Sequence, residues 1–396
     1  MSSNGEVNNR PADSAFKQQR LKAWQPILTP MWVIASFVFI GIVFVPIGAV
    51  LLNASENVVE LRVQYGGKDM NGEKNEIKPG KNAILELKAT ADMKGPVYLY
   101  YELSNFYQNH RRYVKSRYDA QLRGDVKGYS DLAEAKAKFT TNAKLNEVKD
   151  EAGATLRQTF QTCEPMLIPP EFDNNEGPNC KWNSTDEKSK GKFCKVLWPC
   201  GLIAGSFFDD VFQPAGNWTT PLTEWSEEDI AWDSDKKIKF KNPDGWKEGK
   251  WKKDQDSLYL WLHQRYPDFN KLTNRSLEKE GVENEHFIVW MRTAGLPTFR
   301  KLYAIIGKGN DADTVTIKKG TILEIKVHSH FEVEAFDGTK SLVVSTVSWL
   351  GGKNSFLGIA YIVVGSISLL LAAAFFIKHM NSPRKLGDTT YIVWQD

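Results

Sequence analysis

Two long apolar runs without charge bracket this chain, and between them polar and apolar residues alternate or mix. Residues 31–52 (MWVIASFVFIGIVFVPIGAVLL) and 356–377 (FLGIAYIVVGSISLLLAAAFFI) contain no Asp, Glu, Lys, Arg or His. At about 1.5 Å per helical residue, either run spans about 33 Å, which matches a hydrocarbon core of about 30 Å. Both are expected to be transmembrane helices. The first exceeds the roughly 7–15 apolar residues of a secretory signal and follows a polar stretch with Lys17, Arg20 and Lys22, so it reads as a retained anchor.

Between the runs the pattern changes to period two. Strands are expected at residues 58–65, 83–90, 97–104, 286–293, 302–306, 313–317, 321–333 and 341–349, with turns at Gly66-Gly67 and Pro79-Gly80. Residues 129–139 (YSDLAEAKAKF) are rich in helix formers. The stretch 163–200, with Pro169-Pro170 and Gly177-Pro178, is a loop that needs stapling. The expected fold is two transmembrane α-helices flanking one large antiparallel β-rich, sandwich-like ectodomain with helical and loop insertions. The implied division is a tail (1–30), a first span (31–52), an ectodomain (53–355), a second span (356–377) and a second tail (378–396).

Two crossings place both termini on one side. Lys17, Arg20 and Lys22 before the first span and Lys378, Arg384 and Lys385 after the second favour cytosolic tails. Four Asn-X-Ser/Thr acceptors, at Asn53, Asn183, Asn217 and Asn274, all lie in the loop, as a lumenal or extracellular side requires. Asn53 is the weakest, because it abuts the membrane. All four cysteines, Cys163, Cys180, Cys194 and Cys200, also lie there. An even count in an oxidising compartment reads as disulfides, and without a CxxC pair or a nearby His a zinc site is disfavoured. Spacing leaves three connectivities open.

Composition adds little to this picture. The chain is mildly basic, with a pI of about 8.4 and a mean hydropathy of −0.40, which gives no reason to expect nucleic acid. Residues 16–30 (FKQQRLKAWQPILTP) interleave apolar residues, Trp24 among them, with basic ones, as suits a segment along the membrane surface or against a cytosolic partner. Within the second span Gly358, Gly365 and Ala372 recur every seven residues, a stripe that lets a partner helix or the chain's own first span approach closely. Trp218, Trp225, Trp232, Trp246, Trp251 and Trp261 fit anchors for long connections better than a carbohydrate-binding face.

No catalytic constellation emerges. GxxxxGK[ST], HExxH, GxSxG and DKTG are all missing, and no cofactor is expected. His328 and His330 share a predicted strand face without a third ligand, and the pairs Asp209/Asp210 and Glu332/Glu334 are expected to be solvated. The most unusual stretch is 100–117 (YYELSNFYQNHRRYVKSR), where tyrosines adjoin His110, Arg111, Arg112, Lys115 and Arg117. On an ectodomain this combination suits an anionic partner surface or lipid headgroups.

Four blocks, FKQQRLKAWQPIL, PCGLIAGSFFDD (199–210), FIVWMRTAGLPTFRKLY (287–303) and RKLGDTTYIVW (384–394), resemble in sequence and order those of the accessory (β) subunits of type IV P-type ATPases, the phospholipid flippases. Gly205 and Asp209 stand where that family usually has Asn. The resemblance implies that Cys163 pairs with Cys200 and that Cys180 and Cys194, which fall in an insertion relative to that family, pair inside that loop; Cys163–Cys180 with Cys194–Cys200 is the sequential alternative. It implies a non-catalytic protein that forms a heterodimer with a type IV P-type ATPase. There it would support the enzyme's folding, its exit from the endoplasmic reticulum and its transport cycle, in which aminophospholipid moves to the cytosolic leaflet. Trp24, Arg111, Arg112, Gly358, Gly365 and Ala372 are the expected partner contacts, beside membrane lipids, in the endoplasmic reticulum, Golgi, endosome or plasma membrane. Rival readings are a subunit of a two-span ligand-gated channel and a membrane-tethered carbohydrate-binding protein.

Overall fold

A computed structural model describes residues 12–21, 29–67, 75–124, 163, 180–182, 192–194, 196–215, 225–249, 259–273, 275–307 and 316–383. They form a helical unit, reaching to Glu56 and resuming at Asn354, and a β-rich unit, Asn57–Lys353.

The helical unit consists of α1 (Pro30–Glu56) and α5 (Phe356–Asn381). Both outrun the uncharged runs by a few residues, and both are long and apolar enough to cross a membrane. α1 continues helically through Pro46. The helices pack antiparallel: Phe37 meets Phe375, with ring centroids 5.8 Å apart, Val45 lies over Gly365 and Gly48 over Gly358. Buried positions recur every seven residues on each, at Ile34, Gly41, Gly48 and Ser55 and at Gly358, Gly365 and Ala372. A seven-residue seam keeps two helices in register as they supercoil. Beyond the seam, Ser55 Oγ accepts the Asn354 N–H at 2.9 Å.

The strands of the β-rich unit are β1 (Glu60–Gly67), β2 (Lys81–Lys88), β3 (Met93–Lys94), β4 (Val97–Leu103), β5 (Cys180–Trp182), β6 (Lys192–Cys194), β7 (Val196–Trp198), β8 (Val211–Pro214), β9 (Trp225–Ser226), β10 (Tyr259–Trp261), β11 (Phe299–Ile306), β12 (Thr316–Ile317), β13 (Ile322–Ser329) and β14 (Thr339–Ser345). The larger sheet runs β1-β14-β4-β11-β9 and a smaller one β2-β13-β8, both antiparallel throughout. Only the short β7–β10 pair is parallel among the described strands.

Alternation explains the core. β4 buries Val97, Leu99, Tyr101 and Leu103, every second residue. These join Leu85, Leu87, Ile325 and Val327 of the smaller sheet in one continuous apolar cluster. Aromatic rings link the layers: Phe212 on β8 lies 5.9 Å from Tyr65 on β1 and 4.7 Å from Tyr303 on β11, centroid to centroid. Of the six tryptophans in the expected anchor set, Trp246 and Trp261 act as anchors, Trp225 is half-buried, Trp232 is exposed, and Trp218 and Trp251 lie outside the described residues. Trp246 and Trp261 are buried, pack edge to face, and close around Trp198.

Several expectations need correction. Residues 286–291 of the expected strand 286–293 form not a strand but the body of helix α4 (Glu285–Met291), which ends at Arg292. The Asn284 side chain accepts the Phe287 N–H and caps its start, while six of its seven residues are buried, so the apolar run FIVWM carries no amphipathic stripe to reveal its period. Gly66-Gly67 is not a turn: both residues lie in β1, at a bulge, opposite Lys340 and Thr339. A Cβ on Gly66 would come within 2.7 Å of Lys340 Cε, so the missing side chain makes room for the lysine stem. β13 stops at Ser329, so only His328 belongs to it; no cluster of His, Cys, Asp or Glu suited to a metal occurs among the described residues. The proposed helix 129–139 lies outside the described residues.

Candidate functional site

The small-residue stripe is occupied. A Cβ on Gly365 would sit 2.8 Å from Val45 Cγ2 and 3.1 Å from Phe44 Cβ, and one on Gly358 would meet the Leu52 backbone at 2.8 Å. Ala372 is buried as well. The chain's own first span therefore covers Gly358, Gly365 and Ala372. The face left over is large and apolar: Phe39, Ile42, Val50, Leu370 and Phe376 are all exposed.

Arg111 and Arg112 open a single helical turn, α2 (Arg111–Lys115), with no buried residue, and both are exposed. Their segment is held from behind. Tyr113 hydrogen-bonds Ser206 at 2.7 Å, and Ser116 Oγ donates to the Cys163 carbonyl and accepts the Leu202 N–H. Gln121 Oε1, in α3 (Asp119–Leu122), accepts the Cys200 N–H at 2.9 Å. Cys163 and Cys200 are disulfide-bonded across a separation of 37 residues, with their Cα atoms 5.5 Å apart. The basic segment is thus tied to the block 199–210 through the bridge. In β5 and β6 the backbones of Cys180 and Cys194 lie directly opposite each other. Trp24, Asn183, Asn217 and Asn274 lie outside the described residues. Asn53 is exposed in the last turn of α1, and Ser55 of the same sequon is buried.

Charge is organised in two contrasting ways. On the larger sheet, Arg300 grips Glu60 with two guanidinium nitrogens, at 2.7 and 2.9 Å, and Glu102 with a third at 2.6 Å. Arg62 approaches the other Glu102 oxygen at 2.8 and 2.9 Å. Forked guanidinium–carboxylate contacts like these fix strand register, and the Glu60 and Glu102 contacts push the Arg300 pKa further up against the effect of burial.

Inside the unit Asp210 is fully buried, contrary to the expectation that it is solvated. One of its oxygens accepts the His330 and Phe331 N–H groups at 2.5 and 2.7 Å. The other accepts the Tyr65 hydroxyl and Lys340 Nζ, both at 2.8 Å. Lys340 also donates to Ser329 Oγ and the Phe331 carbonyl, so all three ammonium protons are used. Burial first, then the Asp210 charge, raises the Tyr65 phenol well above its usual pKa. Beside this lock, burial and the Asp210 charge push the Asp209 carboxyl up to about 7. Lys301 caps α4 in a similar manner, donating to the carbonyls of Val289, Trp290 and Arg292 at 2.5–2.9 Å; burial, then Arg292, pushes its pKa down to about 7. The sequence carried no pattern that singles out Lys301 or Lys340, since each partner set is drawn from distant segments.

These charges are structural in character. The buried contact between His286 and Glu227, at 3.0 Å, is sealed in the core with Thr273 and Trp225 also donating to Glu227.

Residues 51–385 match the LEM3 (ligand-effect modulator 3) family / CDC50 family. The chain belongs to this family. It is 38% identical to cell cycle control protein 50A of Bos taurus over 94% of this chain and 91% of the bovine protein. It is 36% identical to ALA-interacting subunit 3 of Arabidopsis thaliana over 98% and 91% of the two chains. With 28% identity over 99% and 91%, it is also similar to a Saccharomyces cerevisiae protein named phospholipid-transporting ATPase accessory subunit CRF1. The CDC50 match takes in the Cys163–Cys200 bridge, the Asp210–Lys340 lock and both ends of the helical pair that adjoin the β-rich unit in sequence.

Proposed function

We propose that this CDC50-family chain is the non-catalytic accessory subunit of a phospholipid-transporting P-type ATPase, with which it forms a heterodimer. What carries the reading is family membership over residues 51–385, together with near full-length similarity to a yeast protein named as such a subunit. The chain's own residues agree with it: a DKTG phosphorylation loop is missing from the sequence, and the lipid-facing helices offer packing surface. A partner that binds the folded ATPase, and some states of its cycle better than others, stabilises and biases those states. That supports the enzyme's folding, its exit from the endoplasmic reticulum and the movement of aminophospholipid to the cytosolic leaflet.

In this reading α1 and α5 cross the membrane, both tails are cytosolic, and the β-rich unit is lumenal or extracellular, glycosylated at Asn53, Asn183, Asn217 and Asn274. Cys180 and Cys194 form a second bridge, as their facing strand positions allow. Trp24, Arg111, Arg112 and the outward apolar faces of the helical pair contact the ATPase and lipid. Purification from membranes in mild detergent, with mass identification of what co-elutes, tests the proposal. A stoichiometric large P-type ATPase is expected; a homotrimer of this chain, or a monomer retained on glycans, would overturn it in favour of a channel subunit or a tethered lectin.

A further inference from the structure

A cavity of about 390 Å³ opens on the β-rich unit beside α3. Four cations line it, Arg117, Arg123, Lys239 and Arg292, against two carboxylates, Asp119 and Asp235. Asp119 is taken by Arg117 at 3.0 Å. Asp235 is shared by Lys239 at 2.7 Å and Arg292 at 3.0 Å. Arg123 is exposed and has no carboxylate partner among the described residues. The cavity therefore carries a surplus of two positive charges, and three of its four cations are guanidiniums. Planar guanidinium forks match the oxygens of phosphate better than lysine does.

The walls are built in advance. The Lys241 N–H donates to the Leu122 carbonyl at 2.8 Å, joining the segment that carries Lys239 to the helix before Arg123. The Arg292 carbonyl is held by Lys301 Nζ, and Gln121 beside Leu122 is held by the Cys200 N–H. Leu122, Phe240 and Met291 make an apolar floor, and Ile238 stands exposed at the rim. A preformed site of this kind binds without the cost of ordering its own loops.

The geometry points to a binding site for a dianionic phosphate group in this cavity, with Arg123 as the guanidinium placed to pair with it and Ile238 beside any apolar substituent. A dianion neutralises the surplus, and the accessible guanidiniums supply the forks. The ligand chemistry is shared by free phosphate and by a lipid phosphate monoester.

Calorimetric titration of the full chain in non-ionic detergent tests this, with inorganic phosphate in one arm and dibutyryl phosphatidic acid in the other. Saturable binding is expected, weakened about tenfold by Arg123→Gln, a loss of about 1.4 kcal/mol, and unchanged by Lys88→Gln, an exposed cation on β2 that does not line the cavity. Equal affinity in the two arms assigns free phosphate, and tighter binding of the lipid assigns a lipid headgroup. Absence of saturable binding in both arms overturns the proposal, as does equal weakening by Lys88→Gln. An oligo-glutamate peptide that binds where phosphate does not, with sensitivity to Arg123→Gln, would overturn it in favour of an acidic protein segment. Since Arg123 is exposed and makes no ion pair among the described residues, its replacement leaves the fold intact, which thermal unfolding of the variant verifies.

Discussion

Between α1 and α5, Gly41, Gly48, Gly358 and Gly365 leave no room even for a Cβ. In the β-rich unit the tightest polar place holds a lysine, an aspartate and a tyrosine, all buried. The difference follows from the surroundings. Lipid tails are as apolar as leucine, so two membrane helices gain little from hiding leucine and associate through close backbone packing. In water, an apolar core provides enough burial to accommodate an ion pair, provided every lone pair and proton has a partner. One region is specified by small residues and the other by complementary ones.

Breaking the buried lock should have the largest effect. Asp210→Asn or Lys340→Met leaves one member of a buried pair without its counter-charge, which costs about 3–5 kcal/mol. Urea unfolding followed by tryptophan fluorescence measures it, and the double variant reports the coupling between the two. Removing the bridge with Cys163→Ser and Cys200→Ser together should cost about 3–4 kcal/mol, the chain entropy released by opening a loop of this length, read as a lower urea midpoint; a midpoint unchanged by reductant in the wild type would contradict it.

The helical pair is expected to respond to a different change. Gly365→Leu forces a side chain into Val45 and Phe44 and should weaken α1–α5 packing by about 1–3 kcal/mol. Thiol cross-linking of Phe37→Cys with Phe375→Cys, which replace a ring pair 5.8 Å apart, should fall in that background. The urea midpoint of the β-rich unit should not move. A shift there would erase the distinction between the two regions.

The smallest effect sharpens the account of the lock by pH. The Asp209 carboxyl is raised from 3.8 to about 7 by burial and by Asp210, so the folded state holds that proton more tightly than the unfolded one. The stability tied to the protonated form is present in full below about pH 4 and is lost as pH rises through about 7. Asp209→Asn should therefore gain stability at pH 8 and close to nothing at pH 4. A gain independent of pH would mean that the carboxylate's burial is not its cause.

How much of this was legible in the sequence depended on range. β4 and β13 were readable because alternation is local and each strand has one buried face. The apolar run of α4 was misread as a strand because burial on nearly all sides erases periodicity; the Asn284 cap was its one local signal. The Cys163–Cys200 pairing came from resemblance, since spacing leaves three connectivities equivalent. Asp210 was taken for a solvated acid because its partners, Tyr65 and Lys340, stand more than a hundred residues away in either direction.

The sequence by itself determined two membrane-length helices, the β-rich segment between them, the family, and the small-residue stripe, because length, period and composition are local properties that hydrophobicity acts on directly. Only the tertiary structure decided what the stripe touches, which carboxylate is buried with which lysine, and which arginines line one cavity. Those are matters of which distant groups arrive at the same place, and desolvation gives a charge its role only once they have met.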